Sequence, residues 1–413
     1  MTQTTRTPSP RFQAKREAVL DAAAHLFNAL GVKGATLSGI AASVGLITTS
    51  VTYYYRRKEQ LAAACFLRTI ETLDAAALAA ASEPDLGSRV RAFFRLHADR
   101  MAQTARGQAP ALVQLNDLRA LPDPYFEEVS AAYTALFKRM RALLDAPDAP
   151  ALPRIQLNAR THYVLSITHW MRNWADQFDV DEYDRLAERM TDIVLHGVAA
   201  HGQALPDFPY DPTGSSLVDT SDPMAEAFLR AASELVNEQG YRGASVDKIS
   251  ARLNVTKGAF YHHNDNKEDV VLRCFARTFS VIRGVVAQAH DIDTADGWAR
   301  TAFALLTLAR FQLSPAGPML RLAATSALSD PKQRADVTAN VRRVTQRVAG
   351  LIVDGMMDGS IRPTDALLAA QVATAAINHA SELRDWVRSA EPDNVGELVV
   401  RPLLLGITAP ASP

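Results

Sequence analysis

The sequence predicts an all-α protein made of two fused, similar units. Three observations carry this. Apolar residues recur at helical spacing along both halves, and no segment alternates as a half-buried strand would. Motifs of the first half also return in the second at a constant shift of 209 positions. The shift pairs Leu26 with Leu235, Asn28 with Asn237, Gly31 with Gly240, Gly34-Ala35 with Gly243-Ala244, Ile40 with Ile249, Lys58-Glu59 with Lys267-Glu268, and Cys65-Phe66 with Cys274-Phe275. Toward the other end, Leu195-His196-Gly197 meets Leu404-Leu405-Gly406.

The 413 residues are too many for one ordinary core. With 48% hydrophobic, 22% charged and 7% aromatic residues, the composition is that of a helix-leaning globular chain. No apolar run reaches the roughly 18 residues that span a bilayer. The opening MTQTTRTPSPRF lacks the apolar core of a signal peptide, and two cysteines cannot make a disulfide framework, so a cytoplasmic, reduced setting is expected. Cys65 and Cys274 occupy equivalent places, which suits inherited core packing better than redox chemistry. The stretch GQALPDFPYDPTGSSLVDTSDP from Gly202 to Pro223 has linker composition. The expected division is 1–70, 71–201, a linker at 202–222, then 223–280 and 281–413.

In the first unit Val19, Ala22, Leu26, Phe27 and Leu30 line one helix face, which Gly31 ends. Thr36 stands where an N-cap would start a second helix, and Ser245 holds the matching place in the second unit. A helix-turn-helix needs a small residue at the helix crossing, a left-handed residue in the turn and an apolar anchor under the second helix. Ala41, Gly45 and Val51 meet these demands, as do Ser250, Asn254 and Phe260. The second helices are then about 48–55 and 257–264. Their first residues, Thr48, Thr49 and Ser50, or Thr256, Lys257, Gly258 and Ala259, are small or hydrogen-bonding, as entry into a major groove requires. Tyr53 and Tyr54, with Tyr261 and His262, suit phosphate oxygens, and Lys58 and Lys267 follow just beyond. Tyr55 cannot share their direction and is expected to pack inward.

Residues 1–68 hold nine Lys or Arg, Arg6 among them, against three acids, a local excess fit for a phosphate backbone in a chain of net charge −1. From Asp222 to Arg277 the eight basic and eight acidic residues cancel.

The segments GVKGATLSGIAASVGLITTSVTYYYRRKEQL and GYRGASVDKISARLNVTKGAFYHHNDNKEDV resemble the DNA-binding region of the tetracycline-repressor (TetR) family of bacterial transcriptional regulators. The resemblance is motif-specific for about a quarter of the chain and architectural for the rest. It implies two fused TetR-like units, each a three-helix DNA-binding domain followed by a helical ligand-binding and pairing domain. Ile47 departs from the Ser or Thr of the family's recognition-helix cap, Thr48-Thr49 from its Lys-Gly, Thr52 from its Tyr, and Asn264 from its packing Phe.

The family's homodimers present two recognition helices about 34–36 Å apart. A tandem chain is therefore expected to form an intramolecular pseudo-dimer through 155–175 and 181–200 against 363–390 and 393–409. It would read a double-stranded operator with non-identical halves and answer to a small-molecule effector, more commonly by release. Polar residues on apolar stretches, namely His97, His169, Asn173, Trp174, Arg310 and Asn378, are candidate effector contacts; each also suits a satisfied core group. No catalytic or metal-binding motif occurs, so neither enzyme, metal nor cofactor is expected. The competing reading keeps the fold but makes the chain a ligand-binding or protein-interaction module whose helix-turn-helix units no longer read DNA.

Overall fold

The computed structural model describes residues 9–263, 266–293 and 296–410; Arg6 and Asn264 lie outside them. Among the described residues the chain is helical, with one isolated bridge between Ala199 and Ile361. The first half contributes α1 (Pro10–Gly34), α2 (Leu37–Ser43), α3 (Thr48–Tyr54), α4 (Lys58–Ala80), α5 (Leu86–Ala105), α6 (Tyr125–Leu144), α7 (Arg154–Trp170) and α8 (Tyr183–His196). The second half repeats the order as α9 (Pro223–Gly243), α10 (Val246–Arg252), α11 (Lys257–His263), α12 (Lys267–His290), α13 (Gly297–Leu313), α14 (Pro331–Asp358), α15 (Ala366–His379) and α16 (Arg401–Leu405). The chain divides into two compact units, Met1–Ala75 with Arg100–Leu136, and Ala76–Asp99 with Phe137–Pro413. No described helix is long and apolar enough to cross a membrane.

Local chemistry sets the helix starts. Asp222 and Asp330 each accept a backbone N–H and precede a proline, Pro223 and Pro331, which lacks the N–H that the first turn leaves unpaired anyway. Asp296 and Asp365 cap α13 and α15 in the same way. Gly31 (φ 68°) and Gly240 (φ 69°) break α1 and α9 at the same repeat position. Cys65 and Cys274 are buried and free, and their thiols point at the carbonyls of Leu20 and Leu229, again one repeat apart.

Within the second unit α7 and α8 pack against α15, and α8 also meets α16. The closest approach is backbone on backbone. Ala199 N donates to Leu404 O (3.1 Å), and its repeat partner Thr408 N donates to Leu195 O (3.2 Å). Gly197 (φ 64°) and Gly406 (φ 85°) sit at this crossing, where a Cβ on either would collide with the carbonyl of Leu404 or Leu195. Around it, Trp170 Nε1 donates to Gln371 Oε1 (3.1 Å), His162 Nε2 to the His379 carbonyl (2.9 Å), and Asn158 Nδ2 to the Trp386 carbonyl (3.1 Å). The Trp386 ring stacks on Phe137, centroids 3.6 Å apart. Arg189–Asp365 (2.9 Å) and Arg362–Asp192 (2.7 Å) close the rim.

This packing can be tested by substitution and by pH. Gly406→Ala meets both a positive φ and a backbone carbonyl, and should lower stability by about 3 kcal/mol or more in a denaturant melt; an unchanged midpoint would contradict the contact. Burial, reinforced by the neighbouring histidines, drives His169 and His379 down to about 3 and lowers His162. The unfolded chain therefore binds protons that the folded chain refuses. Stability is full above the ordinary histidine range, near pH 6.5, and is lost as pH falls below it, by about 1.4 kcal/mol per pH unit for each of His169 and His379. A melting temperature flat between pH 7 and 5 would contradict this.

Candidate nucleic-acid interface

In the first unit, α2 is capped by Thr36, whose hydroxyl accepts from Gly39 N (3.1 Å). The chain then turns through Gly45 at φ 66° into α3. Ile40, Ala41 and Val51 are wholly buried, so the crossing and the anchor under α3 are both filled. The second unit builds the same turn from other residues. Ser245 accepts from Lys248 N (3.2 Å), Asn254 takes the left-handed conformation (φ 54°), and Ile249, Ser250 and Phe260 are buried. Asn254 is the sole described non-glycine at positive φ, as the turn demands. Phe260 meets Phe228 of α9 edge-on, 5.7 Å between centroids.

The N-terminal faces of α3 and α11 stay open. Thr48 and Thr49 are exposed and Ser50 half-buried; Thr256, Lys257 and Gly258 are exposed and Ala259 half-buried. The two helices start differently. Thr256 Oγ1 accepts from Ala259 N (3.4 Å), whereas Ile47 gives α3 no side-chain cap and is 70% exposed.

The three tyrosines diverge. Tyr55 is buried, which pushes its phenol up to about 12, with the Arg16 guanidinium 5.5 Å from its ring centre. Tyr54 is half-buried and braced by Phe12 of α1, centroids 4.8 Å apart. Tyr53 is 73% exposed. In the second unit Tyr261 and His262 are exposed.

Lys58 and Lys267 have a task that their sequence position did not announce. Lys58 Nζ donates to the carbonyls of Lys33 (3.3 Å) and Ala35 (3.0 Å), while Lys267 Nζ donates to Tyr241 O and lies 3.9 Å from the centre of that ring. Breaking α1 and α9 at Gly31 and Gly240 leaves carbonyls at a helix end, where a cation is favoured. Both ammoniums therefore lean toward the protein. Charge elsewhere is uneven: Arg56 and Arg57 are exposed, but Lys257 pairs with Asp247 (2.6 Å), and Arg252 with Glu234 (2.9 Å) and Glu238 (3.2 Å).

A pair of asparagines ties each helix-turn-helix to the chain that follows. Asn28 donates to Leu112 O (2.9 Å) and accepts from Gln114 N (2.8 Å). Asn237 donates to Met319 O (2.8 Å) and accepts from Arg321 N (3.1 Å). The repeat aligns the two residues, and that alignment is the one sequence signal of this clamp.

The candidate effector residues differ in their surroundings. His97 is buried and His169 half-buried, and His97 contributes to lowering His169. Asn173 is half-buried at the end of a 3-10 turn, and Trp174 is buried edge-on to Phe178, 5.8 Å between centroids. Arg310 holds the segment between α8 and α9, donating to Phe208 O (3.0 Å) and lying 4.0 Å from the Tyr210 ring centre. Asn378, half-buried on α15, faces a cavity.

The family described as "Bacterial regulatory proteins, tetR family" matches residues 19–65 and again residues 228–274, so both matches fall on the helix-turn-helix segments. The chain is 34% identical over 74 residues to the transposon Tn10 TetC protein of Escherichia coli, covering 18% of this chain and 36% of that protein. It is 31% identical over 68 residues to the biofilm operon HTH-type negative transcriptional regulator IcaR of Staphylococcus epidermidis, covering 16% of this chain and 37% of that protein. The chain thus spans about a third of the length of the curated relatives it matches. Among solved structures, a TetR-family transcriptional regulator from Bordetella parapertussis 12822 aligns at 19% identity and a TM-score of 0.38, over 44% of this chain and 94% of that one. The TetR-family regulator PfmR from Thermus thermophilus aligns at 20% identity and a TM-score of 0.36, over 45% and 96%. The chain thus carries the helix-turn-helix domain of the tetR family of bacterial regulatory proteins twice.

Ile47→Ser should supply the missing cap of α3 and raise stability by about 0.5–1 kcal/mol in a thermal melt; a loss would mean that Ile47 has a packing role. Asn237→Ala leaves Met319 O and Arg321 N without that partner and should cost about 1–3 kcal/mol, with faster amide exchange at Arg321; unchanged exchange there would contradict the clamp.

Proposed function

We propose that the chain is a sequence-specific transcriptional regulator of double-stranded DNA, with two unlike readers on one polypeptide and release from its operator by a small-molecule effector. The observation that carries this is the doubled helix-turn-helix. Both copies keep the left-handed turn and the buried anchor, and both leave the start of the second helix open. In this reading Thr48, Thr49 and Ser50 meet base edges in one half-site, and Thr256, Lys257, Gly258 and Ala259 in the other. Tyr53, Tyr54, Tyr261 and His262 bond phosphates, while Thr36 and Ser245 stand at helix N-termini that favour the backbone. Lys58 and Lys267 add to the positive field rather than bonding phosphate directly, because their ammoniums serve the turn carbonyls.

The division of labour follows the repeat: readers at 1–70 and 223–280, helical sensing and pairing segments at 71–201 and 281–413, and a linker at 202–222. Covalent fusion keeps the second reader at high effective concentration once the first is bound. The operator halves should differ, since α3 and α11 present different side chains. The chain acts on cytoplasmic DNA.

One observation favours a second reading, in which α11 has given up DNA and only the first unit reads. Lys257 is already paired with Asp247, in a segment whose charges cancel. The pair is exposed, however, and such pairs contribute only about 0–1 kcal/mol, so a phosphate or base edge can compete for the lysine.

Operator affinity measured across salt concentration separates the two readings. Thr49→Ala should relax preference in one half-site at a cost of about 1–3 kcal/mol, and Lys257→Ala should weaken binding through the other and flatten the salt slope by about one unit. Lys257→Ala with unaltered affinity and slope would remove the second reader.

A further inference from the structure

We propose that Arg321 and Glu382 form a strut that positions the second helix-turn-helix, and not the first, against the junction between the two halves. The inference rests on the two-reader reading and adds to it the residue pair that sets where the second reader stands.

One end of the strut is on α9. Arg321 is buried; its backbone N donates to Asn237 Oδ1 (3.1 Å), and its guanidinium donates to the Asn237 carbonyl. Asn237 stands just before the break at Gly240, so that carbonyl lies near a helix end, where a cation is favoured. The same guanidinium pairs with the half-buried carboxylate of Glu382. It therefore bridges α9 and the 3-10 turn Ala380–Asp385 that follows α15.

The other end is fixed to the first half. Carbonyls on both sides of Glu382 accept hydrogen bonds from α7, His379 O from His162 Nε2 (2.9 Å) and Trp386 O from Asn158 Nδ2 (3.1 Å). Trp386 also stacks on Phe137 of α6. Burial holds His379 at about 3, and Arg321 adds to the effect, so the guanidinium is felt at the junction itself. A tilt of α9 would have to stretch the ion pair or pull the turn away from α7. Charge-assisted bonds are roughly twice as strong as neutral ones, so the pair resists that tilt more than neutral contacts would.

The repeat exposes the asymmetry. Asn28 accepts from Gln114 N as Asn237 accepts from Arg321 N, which makes Gln114 the counterpart of Arg321. Glutamine carries no charge, and the turn that follows α7, Met171–Asn173, holds no acid. Among the described residues the asparagine clamp is thus present in both copies and the ion pair in one. The compact units divide in the same way: the second helix-turn-helix shares a unit with α7 and α15, and the first belongs to the other. Loosening the pair should disturb one half-site and spare the other.

The test uses the full chain with Glu382→Gln, which removes the charge but keeps an acceptor oxygen, and Glu382→Asp, which keeps the charge. Amide exchange is measured without DNA, and affinity is measured on duplexes with one or the other half of the selected operator scrambled. Glu382→Gln should speed exchange at Arg321 by about two- to tenfold and leave Gln114 unchanged. It should weaken binding through the second half-site by about two- to thirtyfold, with the first unaffected. Glu382→Asp should restore both. If Glu382→Gln fails to fold, Arg321→Lys takes its place, because a point charge cannot serve the carbonyl and the carboxylate with the fixed fork of arginine. A general loss of stability would weaken both half-sites alike. Equal losses at the two half-sites, unchanged exchange at Arg321, or Glu382→Asp as impaired as Glu382→Gln would overturn the proposal. An unaltered chain that selects no DNA would contradict the regulator reading instead, and exchange alone would then decide the strut.

Discussion

The reciprocal backbone contact at Gly197 and Gly406 is the constraint on which the second unit is organised. Two helices can approach this closely only where neither carries a Cβ, and here each glycine faces the carbonyl two residues before the other. The bonds from Ala199 to Leu404 and from Thr408 to Leu195 exchange roles across the repeat, as the two sides of an isologous interface do. The partners lie on one polypeptide, so the contact carries none of the concentration dependence of a homodimer. Mutations in one half are then free to diverge from the other, because no symmetry forces them to appear twice.

That freedom is visible in the two helix-turn-helix copies. One uses Gly45 in its turn and leaves α3 without a side-chain cap; the other uses Asn254 and caps α11 with Thr256. One displays threonines and an exposed tyrosine beside unshielded arginines, the other a lysine, a glycine and acidic neighbours. The same scaffold thus offers two chemically distinct faces. Each is tied to its own following segment by an equivalent asparagine, so a shift in either segment has a short path to its helix-turn-helix.

Much of this was legible in the sequence, for identifiable reasons. A turn that needs positive φ leaves Gly or Asn at a fixed place, and caps leave Thr36 and Ser245 three residues before the N–H groups they accept. Duplication doubles every such trace, which is why the helix-turn-helix could be placed in both halves. Helical periodicity, by contrast, tells which face is buried and not which neighbour it meets. Hence Lys58 and Lys267 read as phosphate ligands although their ammoniums reach carbonyls freed by a helix break. Likewise His97 and Arg310 looked like Asn378 in sequence, as polar groups on apolar stretches, yet only Asn378 of these faces the cavity.

The central claim is that both helices, α3 and α11, read DNA from one chain. Selection of bound sequences from random duplexes, followed by footprinting of the preferred site, tests it most directly. The account predicts one protected site with two unlike halves, bound by a single chain. A palindromic site bound by two chains, or a single half-site, would contradict it, leaving one reader and a second copy that serves the fold alone.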